Sequence, residues 1–322
     1  MSFTIAVLDV IPPERAERMR ALLPEGFALI HGVEPGLDAL TALIARADFA
    51  IAGQVAVPAE ALRAATRLKL LHKWGVGVDN IDVEAARALG VRVARTMGSN
   101  ALSVAEFTIG LMIGALRFIP FGHHMLQHGV WRGPSHLPGP ARQLTGKTVG
   151  IVGLGAIGRN VARLLGGFSC TTLYTQRTAL PRDEEERLGV RHAPLPEMLE
   201  TADILTLHCP LTPQTEGLID KGALARMKRT ALLVNTARGG VVVERDLIEA
   251  LRDGVIAGAA MDVFAQEPLP VDSPLIGLDN LLMTPHLASA NVESFEPTVR
   301  RMFANIARVA RGEEPAAGDV LA

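Results

Sequence analysis

The sequence predicts an α/β protein built from two doubly wound parallel sheets. Runs of β-branched and apolar residues alternate with amphipathic helical patterns in two successive series along the chain. The strands of the second series are almost entirely apolar, as expected where helices cover both faces of a sheet. A chain of 322 residues is longer than one hydrophobic core usually supports, so two domains are expected.

The first series occupies roughly the first ninety residues. Its predicted strands are residues 4–10, 49–51, 68–72 and 91–94, and its predicted helices are residues 14–23, 37–45, 59–64 and 83–89. The helical segments have apolar residues three to four positions apart, which is the spacing of one helix face. A long apolar helix is expected over residues 102–118, followed by a connector rich in Gly, His and Pro that runs to Arg142.

The second series begins after Lys147. Its predicted strands are residues 148–152, 171–175, 203–208, 231–235, 258–263 and 281–284, with helices between them. A final helix over residues 296–311 carries an apolar stripe of Val299, Met302, Phe303, Ile306 and Val309. Sequence position alone does not assign this helix to either domain.

Composition and charge exclude several functional classes. The chain has 32 Lys and Arg against 34 Asp and Glu, so it lacks the excess positive charge of a typical nucleic-acid-binding protein. No apolar stretch is long enough to span a bilayer, so no membrane partner is expected. The only cysteines, Cys170 and Cys209, are too few for a disulfide framework. These observations favour a cytoplasmic protein that acts on a small molecule.

A glycine turn provides the first functional motif. Gly153, Gly155 and Gly158, with Ala156 and Ile157 between them, form a Gly-x-Gly-x-x-Gly pattern directly after the strand 148–152, and the pattern opens a predicted helix at 159–165. In this setting the three glycines permit a tight turn, close approach to a pyrophosphate and close packing of helix on strand. The pattern therefore predicts a Rossmann domain that binds a dinucleotide.

The end of the next strand bears on the choice of cofactor. An acidic residue is expected there to bind the adenosine ribose of NAD, but the strand 171–175 is followed by Gln176, Arg177 and Thr178. Without a carboxylate, a 2′-phosphate is not repelled, and Arg177 can pair with it. The sequence therefore favours NADP, with NAD still open, and Arg177 alternatively stacks on adenine or faces solvent.

Three polar residues at the ends of later strands fit the reduction of a 2-keto acid. Arg238 follows strand 231–235, Glu267 follows strand 258–263, and His286 follows strand 281–284. Such a reaction needs a cation for the substrate oxygens, a proton donor, and a carboxylate that keeps the donor protonated. Each residue alone is more often structural, but their shared position at strand ends favours a catalytic set.

With these residues, the chain resembles the D-2-hydroxyacid dehydrogenases over essentially its whole length. The resemblance rests on residues 71–82 (LHKWGVGVDNID), residues 100–106 (NALSVAE), the glycine turn and the regions around Arg238, Glu267 and His286, all in the family's order and spacing. It implies that Arg238 holds the substrate, that His286 is the acid and base, and that Glu267 orients and charges His286.

The resemblance also implies the organisation of the chain. A Rossmann domain, residues 99–288, is inserted in a flavodoxin-like substrate domain made from residues 1–98 and 289–322, and the protein is a homodimer. The backbone amides of Val76 and Gly77 are implied to bind the substrate carboxylate. Further implied cofactor contacts are Asp262 at the nicotinamide carboxamide, the segment His208, Cys209 and Pro210 near the adenine, Thr236, Ala237 and His286.

Alternatives remain open. The residues at 176–178 resemble the glyoxylate and hydroxypyruvate reductase branch, and the chain ends without the regulatory extension of many phosphoglycerate dehydrogenases. A 3-phosphoglycerate, phosphite or formate dehydrogenase is the alternative among enzymes, and a nicotinamide-binding regulator or corepressor is the alternative outside them. His123, His124, His128 and His136 lie close in sequence, but no carboxylate or thiolate of suitable spacing joins them, so no metal site is expected.

Overall fold

A computed structural model describes residues 2–131 and 133–321, and the chain divides into two compact units. The first unit comprises Met1–Asn100 and Asn291–Ala322, and the second comprises Ala101–Ala290. A parallel sheet forms the centre of each unit. Both junctions lie two residues beyond the boundaries expected from the sequence.

The first unit is built on a five-stranded parallel sheet. Its strands are β1 (Phe3–Val10), β2 (Phe27–Gly32), β3 (Phe49–Ala52), β4 (Leu70–Lys73) and β5 (Arg92–Arg95). They lie in the order β2-β1-β3-β4-β5, and every pair is parallel. This is the flavodoxin order, whose winding reverses between β1 and β3, and ligands bind at such a reversal, outside the carboxyl ends of the strands.

Helices cover both faces of this sheet. They are α1 (Pro13–Arg20), α2 (Leu37–Ile44), α3 (Ala59–Ala64), α4 (Val83–Ala88) and a C-terminal helix, Val292–Ala310. The apolar stripe of the C-terminal helix, including Val299 and Phe303, packs with Ile5 and Val7 of β1 in one buried cluster. Burial of that stripe on the first sheet explains why the last segment of the chain belongs to the first unit.

The second unit is built on a seven-stranded parallel sheet. Its strands are β6 (Thr148–Val152), β7 (Thr171–Thr175), β8 (Val190–His192), β9 (Ile204–Leu207), β10 (Leu232–Asn235), β11 (Gly258–Met261) and β12 (Leu281–Met283). The order is β12-β11-β10-β9-β6-β7-β8, the Rossmann order with one additional strand. The predicted fold class, with its two doubly wound parallel sheets, is confirmed.

The helices of the second unit also lie on two faces. They are α5 (Ala101–Arg117), α6 (Ile119–Gln127), α7 (Ala156–Gly166), α8 (Arg182–Leu188), α9 (Leu195–Thr201), α10 (Lys221–Arg226) and α11 (Glu244–Arg252). One buried cluster joins α5 and α7 to the sheet, and a second joins α9, α10 and α11. The strands are therefore shielded on both faces, as their apolar sequences require.

Three elements were not expected from the sequence. Strands β2 and β8 are edge strands, and a strand with a single neighbour lacks the continuous apolar run of a central strand. Helix α6 lies in the segment interpreted as a connector, because its Gly and Pro content obscured the helical pattern. Phe118, in the left-handed region at φ 53°, ends α5 and starts α6, and Pro120 is tolerated because it lies in the first turn.

Two helices begin earlier than predicted. Helix α7 starts at Ala156 instead of Arg159, because Gly155 serves as its N-cap. The C-terminal helix starts at Val292 instead of residue 296, because the Asn291 Oδ1 atom accepts a hydrogen bond from the Ser294 amide at 2.7 Å. Asparagine is among the preferred N-cap residues, since its side chain satisfies an amide left without a partner in the first turn.

No single helix among the described residues is both long and apolar enough to cross a membrane. Helices α5 and α6 meet such a criterion only as a pair, which is bent by 66°. Most of the apolar side chains of α5 are buried in the second unit, including Ile109 and Met112.

Candidate active site

The glycine turn after β6 is built from two glycines that the fold itself requires. Gly153 adopts φ +95°, and a Cβ placed on it would lie 2.8 Å from the Cys209 amide nitrogen. A Cβ on Gly158 would lie 2.3 Å from the Gly153 carbonyl oxygen. Both positions therefore exclude any side chain, because the turn packs directly on the segment that follows β9 and on the first turn of α7.

Gly155 differs from these two glycines. Its φ of −75° is open to any residue, and a Cβ placed on it would meet no atom within 4 Å. The free space lies at the N-terminus of α7, where backbone amides and the helix dipole favour a negative group. The protein fold has no need of glycine here, so this space fits the close approach of a dinucleotide pyrophosphate.

The segment after β7 has the neutral and basic character that the sequence predicted. The Gln176 side chain donates to the Thr178 carbonyl oxygen at 2.7 Å, which closes a short turn. Arg177 is exposed at the tip of this turn, and within the described residues it has no ion-pair partner. The position of Arg177 leaves its guanidinium accessible to a phosphate.

The His208 ring lies between two hydroxyl groups at the end of β9. Its Nε2 atom lies 2.9 Å from Thr206 Oγ1, and its Nδ1 atom lies 3.4 Å from Thr236 Oγ1. Burial lowers the pKa of His208 to about 3, so the ring is neutral. Thr108 extends the chain of hydroxyls, 3.0 Å from Thr236. Thr108 and Thr206 were missed from the sequence, because a threonine in a helix or strand carries no local sign of such a contact.

Cys209 and Pro210 directly follow His208 in the loop after β9. The Cys209 side chain is buried, and burial raises the pKa of its thiol to about 11, so it is not a nucleophile. The Pro210 carbonyl oxygen accepts a hydrogen bond from the Thr215 hydroxyl at 2.6 Å, which ties the loop after β9 to the following turn. These residues form the base on which the glycine turn rests.

Arg238 is held by a rigid turn after β10. The fully buried Asn235 side chain donates to the Arg238 carbonyl oxygen at 2.9 Å and accepts from the Ala237 amide at 3.0 Å. The Arg238 Nη1 atom donates to the Ala237 carbonyl oxygen at 2.8 Å. Asn235 was not among the predicted site residues, although a polar residue at the end of an apolar strand is a usable sign of such a brace.

The loops after β10 and β11 are packed against each other. A Cβ on Gly239 would lie 2.0 Å from the carbonyl group of Phe264, so only glycine fits at this contact. This close packing places Arg238 near Glu267, and the positive charge of Arg238 is one of the causes that lower the pKa of that carboxyl group.

Glu267 and His286 form a hydrogen-bonded pair. The His286 Nδ1 atom and the Glu267 Oε2 atom are 2.7 Å apart, and both side chains are about one-third exposed, at 29% and 31%. The Glu267 Oε1 atom accepts from the Phe264 amide at 3.0 Å. Burial raises the pKa of Glu267, but the hydrogen bonds from His286 and Phe264 outweigh it and hold that pKa below its ordinary value. Glu267 is therefore ionised beside the His286 ring.

Asp262 fixes the loop that carries His286. Its side chain, 1% exposed, accepts hydrogen bonds from the Thr284 hydroxyl at 2.6 Å, the Leu287 amide at 2.8 Å and the Ala288 amide at 2.9 Å. These bonds hold His286 in the left-handed region, at φ 52°, which a residue with a side chain seldom adopts. The sequence did not predict this positioning role.

The predicted carboxylate-binding amides lie in the first unit, after β4. Gly75 adopts φ +125°, and its carbonyl oxygen accepts from the Thr96 amide at 2.9 Å. Within the part of the chain that the structure describes, neither the Val76 amide nor the Gly77 amide donates a hydrogen bond to another residue. Two successive amides left in this way are suited to bind an anion.

A polar network supports this segment from the strand ends beside it. The Asp9 carboxylate, at the end of β1, accepts from the amides of Gly53, Gln54 and Val55 after β3. The Lys73 ammonium group donates to the Gly53 carbonyl oxygen and, at 2.6 Å, to the Asn80 side chain. The loops at the reversal between β1 and β3 are thereby joined to the loop that carries Val76 and Gly77.

The clustered histidines do not form a metal site. The His124 and His128 rings are 4.2 Å apart, and His128 Nδ1 lies 2.9 Å from the His124 carbonyl oxygen. Among residues 2–131 and 133–321, no group of three His, Cys, Asp or Glu side chains is arranged to hold a metal ion.

Comparisons with known proteins identify similar sequences and structures. Residues 109–288 match the family model described as the D-isomer specific 2-hydroxyacid dehydrogenase, NAD binding domain. A glyoxylate reductase of Korarchaeum cryptofilum is 40% identical over 263 residues, which cover 80% of this chain and 78% of that protein. A D-3-phosphoglycerate dehydrogenase of Methanocaldococcus jannaschii is 39% identical, and the match covers 80% of this chain but 48% of that longer protein.

A solved structure extends the similarity to almost the full length of the chain. A Thermus thermophilus protein of known structure superimposes with a TM-score of 0.86 and 34% sequence identity, covering 99% of this chain and 100% of the other.

Proposed function

The chain belongs to the D-isomer specific 2-hydroxyacid dehydrogenases, and from this membership we propose that it reduces a small 2-keto acid, glyoxylate or hydroxypyruvate, to the D-2-hydroxy acid. The predicted family and the predicted enzyme class, an NAD(P)-dependent dehydrogenase, are confirmed. The choice among 2-keto acids is our proposal. The reduction of a 2-keto acid is supported above all by the His286–Glu267 pair beside Arg238 at the ends of β10, β11 and β12.

In this proposal each residue has a distinct part in the reaction. Arg238 binds the substrate carboxylate and the carbonyl oxygen through its planar guanidinium. His286 donates a proton to the carbonyl oxygen as that oxygen gains negative charge. Glu267 keeps His286 protonated and correctly turned through the 2.7 Å hydrogen bond to Nδ1. A reduced nicotinamide cofactor, when bound, would supply the hydride.

The residues that would hold the cofactor lie along the carboxyl edge of the second sheet. Gly153, Gly155, Ala156, Ile157 and Gly158 would receive the pyrophosphate, with the space beside Gly155 as the supporting observation. The remaining proposed contacts are those expected from the family resemblance: Gln176, Arg177, Thr178, His208, Cys209, Pro210, Thr236, Ala237, Asp262 and His286.

A preference for NADPH over NADH is part of the proposal. It is supported by the neutral Gln176 and by the exposed Arg177, which can pair with a 2′-phosphate. We expect Arg177→Met to reduce kcat/KM for NADPH about tenfold or more and to leave NADH nearly unaffected. Arg182→Met, which removes an exposed guanidinium that is paired with Glu186, is the matched control. Equal losses with both cofactors would contradict the role of Arg177.

The first unit is proposed as the substrate domain. The Val76 and Gly77 amides, which have no protein acceptor among the described residues, would bind the substrate carboxylate. This assignment makes residues 1–100 and 291–322 the substrate-binding part and residues 101–290 the cofactor-binding part.

A homodimer is proposed from the surface of α6. None of its residues is buried, and Ile119 and Leu126 are 55% and 56% exposed, while the nearby Trp131 is 88% exposed. An apolar surface of this kind is typical of a subunit interface. Light scattering should give twice the chain mass of 34.3 kDa for the wild type and a monomer for Leu126→Glu. Val271→Glu, at a residue 95% exposed elsewhere in the second unit, is the control.

A cytoplasmic location is also proposed. Cys170 and Cys209 are both free thiols, as expected for a protein of a reducing compartment. Expression of a fluorescent fusion in the source cells would test this location directly.

The deciding experiment is a substrate panel measured with both cofactors. Reduction would be assayed with NADPH and with NADH for glyoxylate, hydroxypyruvate and phenylpyruvate. Oxidation would be assayed with the oxidised cofactors for 3-phosphoglycerate, phosphite and formate. We expect the highest kcat/KM for glyoxylate or hydroxypyruvate. His286→Ala and Arg238→Ala should each lose about a hundredfold or more in kcat while still binding cofactor. Wild-type turnover in either variant would refute the assignment, and an inactive wild-type protein that still binds cofactor would favour a regulatory protein.

A further inference from the structure

Beside the proposed carboxylate-binding amides, an aromatic pair carries two guanidinium groups. Trp74 directly follows β4 and lies two residues before Val76, and its ring centroid lies 5.9 Å from that of Phe295 in the C-terminal helix. The Arg15 Cζ atom lies 4.5 Å from the Trp74 centroid, and the Arg18 Cζ atom lies 4.0 Å from the Phe295 centroid. All four residues belong to the first unit.

The faces and the edges of the Arg15 guanidinium have different environments. One face is stacked on the indole ring, so the group is oriented without the use of its N–H donors. Within residues 2–131 and 133–321, the Arg15 side chain makes no hydrogen bond or ion pair, so its N–H donors remain for a ligand. The nearest acidic partner, Asp9, has its carboxylate occupied by the amides of residues 53–55.

Two positive side chains of α1 repel each other, and a bound anion would reduce that repulsion. Arg15 and Arg18 are one helical turn apart, and like charges at this spacing destabilise a helix. Glu17 does not neutralise them, because it is paired with Arg20 at 2.6 Å. Partial burial lowers the pKa of Arg15, and Arg18 lowers it further while Asp9 raises it.

The position of Arg15 also fits a substrate subsite. Trp74 directly precedes Gly75, and two residues span at most about 7 Å of chain. Asp9 and Gly53 mark the reversal between β1 and β3, where ligands bind in sheets of this order. A substrate whose carboxylate is held by the Val76 and Gly77 amides is therefore anchored close along the chain to Trp74, and the Arg15 guanidinium lies over the ring of Trp74.

We propose that Arg15, stacked on Trp74, is a specificity-determining residue that binds a second carboxylate at the far end of the substrate. Among 2-keto acids long enough to reach Arg15, those with a second carboxylate are then preferred over those with an uncharged end, because one guanidinium can bind one carboxylate through two parallel hydrogen bonds. This inference rests on the proposed function, because it takes the other carboxylate to be bound by the loop after β4.

The test compares two substrates of equal chain length. 2-Oxoglutarate carries a terminal carboxylate, and 2-oxopentanoate carries a terminal methyl group in its place. For the wild type we expect kcat/KM to be higher for 2-oxoglutarate. Arg15→Met should lower the ratio of the two kcat/KM values about tenfold to a hundredfold, the range of a lost charge-assisted hydrogen bond. Arg15→Lys, which keeps the charge without the planar fork, should give an intermediate ratio.

Arg20→Met is the matched control, because it removes the same charge from the same helix at a residue paired with Glu17. Its ratio of kcat/KM for 2-oxoglutarate to kcat/KM for 2-oxopentanoate should equal that of the wild type. A folded Arg15→Met protein with the wild-type ratio, or a wild type that prefers 2-oxopentanoate, would overturn the role of Arg15 alone. A wild type that reduces no 2-keto acid would instead refute the proposed function, so the two failures are distinguishable.

Discussion

A single methyl group added at Gly155 in the glycine turn should weaken cofactor binding without unfolding the protein. In Gly155→Ala the new Cβ meets no protein atom within 4 Å, and the backbone at φ −75° accepts alanine without strain. We therefore expect the free energy of unfolding to change by less than about 1 kcal/mol, because the restriction of the unfolded chain by alanine opposes the loss of a favoured N-cap residue.

The same methyl group would occupy the space assigned to the pyrophosphate. Filling a packed contact with one extra carbon costs about 1–3 kcal/mol, so the Kd for the nicotinamide cofactor should rise about fivefold to a hundredfold. Stability would be measured by urea denaturation followed by circular dichroism, and cofactor affinity by titration of nicotinamide fluorescence.

Gly153→Ala is the contrasting variant. Its Cβ would lie 2.8 Å from the Cys209 amide nitrogen at a backbone φ of +95°, so we expect a loss of stability of about 2 kcal/mol or more. A stable Gly155→Ala protein that binds cofactor with wild-type affinity would refute the assignment of this space. Equal destabilisation of both variants would show that Gly155 serves the fold.

Three further predictions concern other parts of the molecule. Arg238→Lys should lose about a hundredfold in kcat/KM for the keto acid, because an ammonium group cannot reproduce the planar fork, and near-normal kinetics would contradict bidentate binding. Glu267→Gln should lower kcat for keto-acid reduction about tenfold or more, because the carboxylate that holds the His286 ring is lost, and an unchanged kcat would exclude that role. Asp319→Asn should lower the free energy of unfolding by about 2 kcal/mol at neutral pH, because the fully buried Asp319 carboxylate is paired with Arg301 at 2.6 Å. Burial raises the pKa of Asp319, but Arg301, Asn305 and the Met97 amide outweigh it and lower that pKa. The contribution is therefore fully present above the ordinary carboxyl range, and the difference from wild type should begin to shrink as pH falls below about 4 and vanish as pH falls through the lowered pKa. A difference that persists in stronger acid would contradict the ion pair.

The sequence by itself was sufficient where short-range patterns carry the information. The run from β6 through the glycine turn into α7 is readable because strand, turn and helix residues are adjacent in the chain. Arg238, Glu267 and His286 were predicted from their positions just after apolar strands, since parallel strands place their carboxyl ends at one edge of a sheet. The same patterns identified the family.

Tertiary structure decided which residues hold these groups in place. The Asp262 carboxylate fixes the His286 loop through hydrogen bonds to residues 22 to 26 positions away, and local sequence carries no sign of them. The difference between Gly155 and Gly153 also required the structure. Only the positions of the surrounding atoms show that a Cβ has room at Gly155 and none at Gly153.

The stacking of Arg15 on Trp74 likewise required the fold, since it joins the helix after β1 to the end of β4. Local patterns report how neighbouring residues shape the backbone, whereas contacts between distant segments depend on how strands and helices pack. The reaction class therefore follows from the sequence, and the contacts that hold the site residues in place follow from packing.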